Sequence, residues 1–260
     1  MLGLGNSITR GAVLDTDFTA ASISGLDIWY DFTTTTASDG TNIDSHANLG
    51  EAGSNYNITA HSNSLKRPKV DTSTLNDRSA FFDGNDSFIL DNVYTTTGET
   101  FTVFWVIKKG SVSESDILIA GTETDPINEI RLATANAITM QFNGEVDSDG
   151  DNSAFNLLVN NTNNGTANEP FTTDTNIYVL TKAADNTVKL YSKDNFVGQA
   201  TAASDGDETT NLRFERFGAE SDGGGGLGAR IGELGVYDSV ISDSDRNSLI
   251  SSLKTKWGLS

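Results

Sequence analysis

Apolar and polar residues alternate with a period of two along most of this chain, the pattern of strands that bury one face and wet the other. The alternation predicts strands over 26–32, 87–93, 100–108, 116–121, 128–133, 137–142, 154–160, 175–182, 187–192, 211–217 and 230–237. These segments are rich in β-branched and aromatic residues, and clusters of Gly, Asn, Asp and Ser such as Asp83-Gly84-Asn85-Asp86 separate them. Many short strands punctuated by turns predict a sandwich or barrel. One segment changes period. Ser242 is placed to cap a helix over about 243–257, Asp243 and Asp245 suit its positive end, and Leu249, Ile250, Leu253 and Trp257 share one face. Lys254, Lys256 and then Gly258 mark its end.

Two stretches lack a strand pattern. Residues 33–78 are mostly Thr, Asn, Ser and Asp, and a segment that long without regular structure is expected to be functional or packed by its own side chains. Residues 1–20 carry Leu2, Leu4, Ile8, Val13 and Leu14 among several glycines, which predicts an N-terminal arm for anchoring or assembly ahead of a single domain over 21–260. The 260-residue length suits one β-sandwich with a core large enough to need no staple, and the absence of cysteine removes thiol catalysis and disulfides.

Charge narrows the partners. Seventeen basic residues stand against 36 acidic ones, a net charge of −19 that repels phosphate backbones and anionic bilayers, so neither nucleic acid nor membrane is an expected partner. The opening residues have no signal-peptide pattern, and the longest apolar run, Phe101 to Ile107, is too short to span a bilayer.

Candidate chemistry is sparse. Gly223-Gly224-Gly225-Gly226-Leu227-Gly228 has the spacing of a dinucleotide loop, but a strand rather than a helix is predicted to follow it. Glu145, Asp147 and Asp149 alternate like paired glycosidase carboxylates, although Ser148 and Gly150 favour a turn there. Asp147, Asp149 and Asp151 begin like a calcium loop, with Asn152 and Leu158 where an EF-hand needs Gly and Glu; calcium is the one cofactor these oxygens would suit. The two histidines, His46 and His61, supply no triad. Lys66, Arg67 and Lys69 form a basic spot on an acidic chain. No catalytic set emerges, so binding is expected rather than catalysis.

Three segments carry a family resemblance. Gly25-Leu26-Asp27-Ile28-Trp29-Tyr30-Asp31 resembles the opening strand of laminin-G/concanavalin A-like domains. Phe81-Phe82-Asp83-Gly84-Asn85-Asp86-Ser87-Phe88 resembles their Phe-Asp-Gly turn, and Ile231 to Asp238 followed by the helix resembles their last strand and closing helix. The resemblance implies an all-β jelly-roll β-sandwich with one C-terminal helix. It implies that Phe81 or Phe82 plugs the core and that Glu233 opens the final strand and bonds backbone of a neighbouring loop. It also implies a virion structural or decoration protein of a tailed phage, assembled in the host cytoplasm with other virion proteins and as a homo-oligomer. The alternative reading is a carbohydrate-binding module for a cell-surface glycan, which would need an accessible line among Trp29, Tyr30, Trp105 and Tyr237, although Trp105 and Trp257 are expected in the core. A laminarinase-like glucanase is the third.

Overall fold

The longest apolar run explains the architecture best. In the computed structural model, which describes residues 18–110, 116–121, 128–132, 137–143, 154–160, 173–193, 195–201, 211–219 and 226–260, every residue from Phe101 to Ile107 is buried. Two different layers bury them. Phe101, Val103, Trp105 and Ile107 face the core between two sheets, and Phe104 and Val106 face a second apolar layer on the opposite side. A strand covered on both faces reads as a continuous apolar run rather than an alternation.

The described residues hold sixteen strands: β1 (Leu26–Asp31), β2 (Ser45–His46), β3 (Ile58–Ala60), β4 (Lys69–Asp71), β5 (Ser79–Asp83), β6 (Phe88–Thr95), β7 (Phe101–Lys109), β8 (Asp116–Ala120), β9 (Asn128–Leu132), β10 (Ala137–Asn143), β11 (Ala154–Asn160), β12 (Asn176–Lys182), β13 (Thr187–Ser192), β14 (Asn195–Thr201), β15 (Arg213–Phe217) and β16 (Gly228–Tyr237), followed by helix α1 (Asp243–Trp257). They form two antiparallel sheets. The first runs β14-β13-β12-β7-β16-β5-β4, with β1 also on β16; the second runs β11-β10-β9-β8-β15-β6-β3-β2. The long strand β16 serves two neighbours along one edge: Gly228–Ile231 pair with β5, and Glu233–Tyr237 pair with β1. A bulge between Ile231 and Glu233 sits where the neighbours change. The expected jelly-roll β-sandwich with a C-terminal helix is the fold observed.

Helix α1 closes the outer face of the first sheet. Ser242 Oγ accepts from Asp245 N at 3.1 Å and Gly258 ends the helix at φ 63°. Leu249, Ile250, Leu253 and Trp257 pack with Phe104, Val106, Ile177, Val179 and Tyr237. Gly232 and Gly235 make this close approach possible, since a Cβ would lie 2.5 Å from the Trp257 ring at the first and 2.2 Å from Phe104 at the second. The chain from Phe18 joins this layer: Ser252 Oγ donates to Phe18 O at 2.6 Å and Tyr237 Oη to Ala20 O at 2.8 Å. Leu2, Leu4, Ile8, Val13 and Leu14 lie outside the described residues.

Between the sheets, Phe82 is fully buried and meets Phe88 and Phe217, whereas Phe81 points outward. Gly84 makes the turn after β5 at φ 96°, and Asp86 Oδ2 accepts from Asp83 N at 2.9 Å. Burial, with the nearby Asp83 charge adding to it, pushes the Asp86 carboxyl up from 3.8 to about 6. A carboxyl raised in the fold contributes stability that is whole below its unfolded value and is lost as pH rises through about 6. That linkage amounts to roughly 2–3 kcal/mol. Asp86→Asn is therefore expected to exceed the wild type in stability at pH 7.5 and to match it near pH 4, as measured by urea unfolding at both. Parallel pH profiles for the two proteins would count against this reading.

Candidate binding groove

The polar stretch 33–78 is not one loop. It holds β2, β3, β4 and several 3-10 turns, tied by short side-chain bonds: Asp71 Oδ1 accepts from Ser73 N and Thr74 N, each at 2.9 Å, and Asp39 Oδ1 from Thr72 N at 2.8 Å. Asx turns of this kind fix a chain that lacks long ladders.

Around this stretch lies a groove of about 670 Å³. Where β1 ends, Asp31 Oδ1 accepts from Thr33 N at 3.1 Å and caps a 3-10 turn over Phe32–Thr34. The turn lays Thr34–Ala37 along one wall. Asn42–Ala47, including β2, forms another, and Asn57, Thr59 of β3 and Asp91 of β6 complete the lining. His46 is buried, with its ring 4.7 Å from that of Phe32. Its Nε2 lies 3.0 Å from Asp31 O and its Nδ1 3.4 Å from Thr35 Oγ1. Burial lowers its pKa, so the ring is neutral at pH 7. The network then assigns the proton to Nε2, which donates to Asp31 O, and leaves Nδ1 to accept from Thr35. Thr59 Oγ1 donates to Asp91 Oδ1 at 3.1 Å, and Asn57 Oδ1 accepts from Asn48 N at 2.9 Å. Arg67 pins the adjacent loop, donating to Asp44 Oδ1 at 2.7 Å and to the carbonyls of His61 and Ser62.

The lining is thus hydroxyls, amides and two carboxylates over a fixed histidine, a set suited to hydrogen-bonding a polar ligand. Its one histidine is held at both ring nitrogens, by a backbone carbonyl and by a hydroxyl.

The residues singled out in the sequence fall elsewhere. Tyr30, Trp105 and Tyr237 are fully buried, and Trp257 is buried as expected. Trp29 is half-buried under α1 and bonded to Glu233, so these rings make no exposed platform. Glu233 does not open its strand or bond a loop backbone. It sits within β16, and its carboxylate accepts from Trp29 Nε1 at 2.9 Å and Trp257 Nε1 at 2.8 Å, with Lys256 Nζ at 2.8 Å. Lys256 also lies 2.6 Å from Asp31. Burial raises the Glu233 carboxyl against the opposing Lys256 charge. Glu145, Asp147, Asp149 and Asp151 lie outside the described residues. Among the described residues no group of three or more His, Asp or Glu is placed to hold a metal, and no helix is long and apolar enough to cross a membrane. After Gly226-Leu227 a strand follows, as expected, so the glycine loop does not open a helix.

Two antiparallel sheets, a closing helix and a hydroxyl-lined groove define the class: a jelly-roll β-sandwich. No family model matches the sequence, and no curated protein matches it. Solved structures do match. The botulinum neurotoxin serotype D binding domain superposes with a TM-score of 0.60 at 12% identity, over 92% of this chain and 55% of that one. The binding domain of Paraclostridial Mosquitocidal Protein 1 gives 0.55 at 11% identity, over 90% and 55%. The botulinum neurotoxin serotype G binding domain gives 0.56 at 8% identity, over 90% and 54%. The chain spans about half the length of these structures, and at such identities the likeness is one of fold.

Proposed function

We propose that this chain is a non-catalytic recognition domain whose polar groove seats an uncharged, hydroxyl-rich group of a cell-surface receptor, most simply a glycan. The observation that carries the reading is the lining: Thr34, Thr35, Thr36, Ser45, Asn57 and Thr59 offer neutral donors and acceptors in a volume of about 670 Å³, within the range of small-ligand sites. Asp44 and Asp91 at the lining, on a chain of net charge −19, oppose an anionic group there. The fold neighbours support the reading, because they are described as binding domains. The virion role and homo-oligomer implied by the resemblance would rest on the arm at 1–20, and the fold neighbours lend it no support.

A glycan array with neutral, amino and acidic sugars tests the proposal. Binders are expected among neutral sugars. Ala47→Trp, at an exposed lining position, is expected to weaken that binding at least about tenfold, some 1.4 kcal/mol, with no change in melting temperature. An array without binders, or equal binding by Ala47→Trp, would set the groove aside.

A further inference from the structure

The register of the first sheet brings four side chains into one transverse row. Lys69 of β4 pairs with Phe81 of β5, Phe81 with Arg230 of β16, and Arg230 with Lys108 of β7. Their chain neighbours Val70, Ala80, Phe82, Ala229, Ile231 and Ile107 all point into the core between the sheets. The row therefore points out, since side chains alternate along a strand. It lies on the same face as α1 but one step past the Trp257 ring that covers Gly232. Lys69 is exposed and the other three are half-buried.

Three of the four are cations, and the guanidinium at their centre is fixed in place. The Arg230 guanidinium lies over the Phe81 ring, 4.4 Å from its centroid, and Nε is held by Asp71 Oδ2 at 2.7 Å. That carboxyl is held down to about 2, Arg230 being the leading cause among its hydrogen bonds. The guanidinium is thus oriented by its Nε bond while its two Nη groups make no bond among the described residues. Neither Lys69 nor Lys108 forms an ion pair there; the acid that Lys69 couples to is the buried Asp86. Arg230 and Lys108 are direct cross-strand neighbours of like charge, an arrangement that destabilises a sheet. On a chain with 36 acids and only 17 bases, a row of three cations of which Asp71 pairs with only one is unexpected as a mere solubilising surface.

We propose that this row is a second binding site, distinct from the groove, for a polysaccharide bearing spaced anionic groups, sulfated or uronic. With strands about 4.8 Å apart, the row extends roughly 14 Å, long enough for more than one charged sugar. A fork-shaped guanidinium suits a carboxylate or sulfate, and the flanking lysines act as point charges. The net charge of −19 opposes the long, closely spaced phosphate backbone of a nucleic acid.

The test is calorimetric titration of the full chain with dextran sulfate, unmodified dextran and a single-stranded oligonucleotide at two salt concentrations. Dextran sulfate is expected to bind, more weakly at the higher salt, with the other two at least tenfold weaker. Lys69→Gln/Lys108→Gln is expected to lose at least tenfold in affinity for dextran sulfate while melting no lower than the wild type, since a like-charge contact is relieved. Ala47→Trp is expected to keep this binding, which separates the row from the groove. Equal affinities of the double variant and the wild type, or an oligonucleotide or unmodified dextran that binds as tightly as dextran sulfate, would overturn the proposal.

Discussion

Glu233→Ala is expected to cost about 3–5 kcal/mol, because removing one member of a buried ion pair leaves its partners uncompensated. The carboxylate is almost wholly inaccessible and satisfies three donors from two other elements: Trp29 on β1, and Lys256 and Trp257 on α1. Without it, two indole N–H groups lose their acceptor, and Lys256 keeps only Asp31. The loss falls on the seam between α1 and the sheet, so the last turns of the helix are expected to exchange their amide hydrogens much faster than β7. The damage should also reach the groove. Asp31 holds Lys256 with one carboxylate oxygen, caps the Thr33 turn with the other, and receives His46 on its carbonyl. Glu233→Ala is thus expected to weaken groove binding, whereas Glu233→Gln, which keeps an acceptor for one indole, should lie between the alanine variant and the wild type. Urea unfolding and hydrogen exchange give the measurement, and a Glu233→Ala protein within about 1 kcal/mol of the wild type would show that the carboxylate does not hold the helix.

What could be read in the sequence divides along physical lines. Long strands, such as β6, the alternating β13 and the largely apolar β12, and the capped helix announce themselves because one element contains its whole signal. Strands β2, β3 and β4 are two or three residues long, too short for any period to register. In β5 the Phe81-Phe82 pair reads as a turn motif, yet one ring enters the core and the other stacks under Arg230. Strand β14 is hidden by Gly198 and Gln199 after Phe196 and Val197. The groove is less legible still. Its Thr, Ser and Asn residues have the composition of a solvated loop, and they line one groove only because the turn after β1 is set against β2, β3 and β6. Glu233 did leave a signal, a lone carboxylate inside an apolar strand, and such a group needs a partner. Its partners lay in a helix that sequence proximity does not connect to it. The basic row is invisible without strand register, since Lys69, Phe81, Lys108 and Arg230 belong to four separate strands.

Phe217→Ala is expected to be the most damaging change between the sheets. Phe217 ends β15 in the second sheet and is fully buried. Its ring stacks on Tyr30 at 6.5 Å and contacts Phe32 at 6.3 Å, Phe82 at 5.1 Å and Phe88 at 6.2 Å. Tyr30 and Phe82 belong to the first sheet and Phe88 to the second. One side chain therefore spans the sandwich at its aromatic centre. Truncation to alanine removes the transfer energy of the ring and leaves a cavity among four aromatic side chains. The cost is expected at the upper end of the usual ~3–5 kcal/mol for Phe→Ala, a figure that already includes the aromatic pairs lost. Phe217→Leu, which refills most of the volume, should recover more than half of the loss. The comparison separates cavity from aromatic geometry: equal stabilities for the leucine and alanine variants in urea unfolding would place the whole effect in ring–ring contact, and a leucine variant equal to the wild type would place it in volume alone.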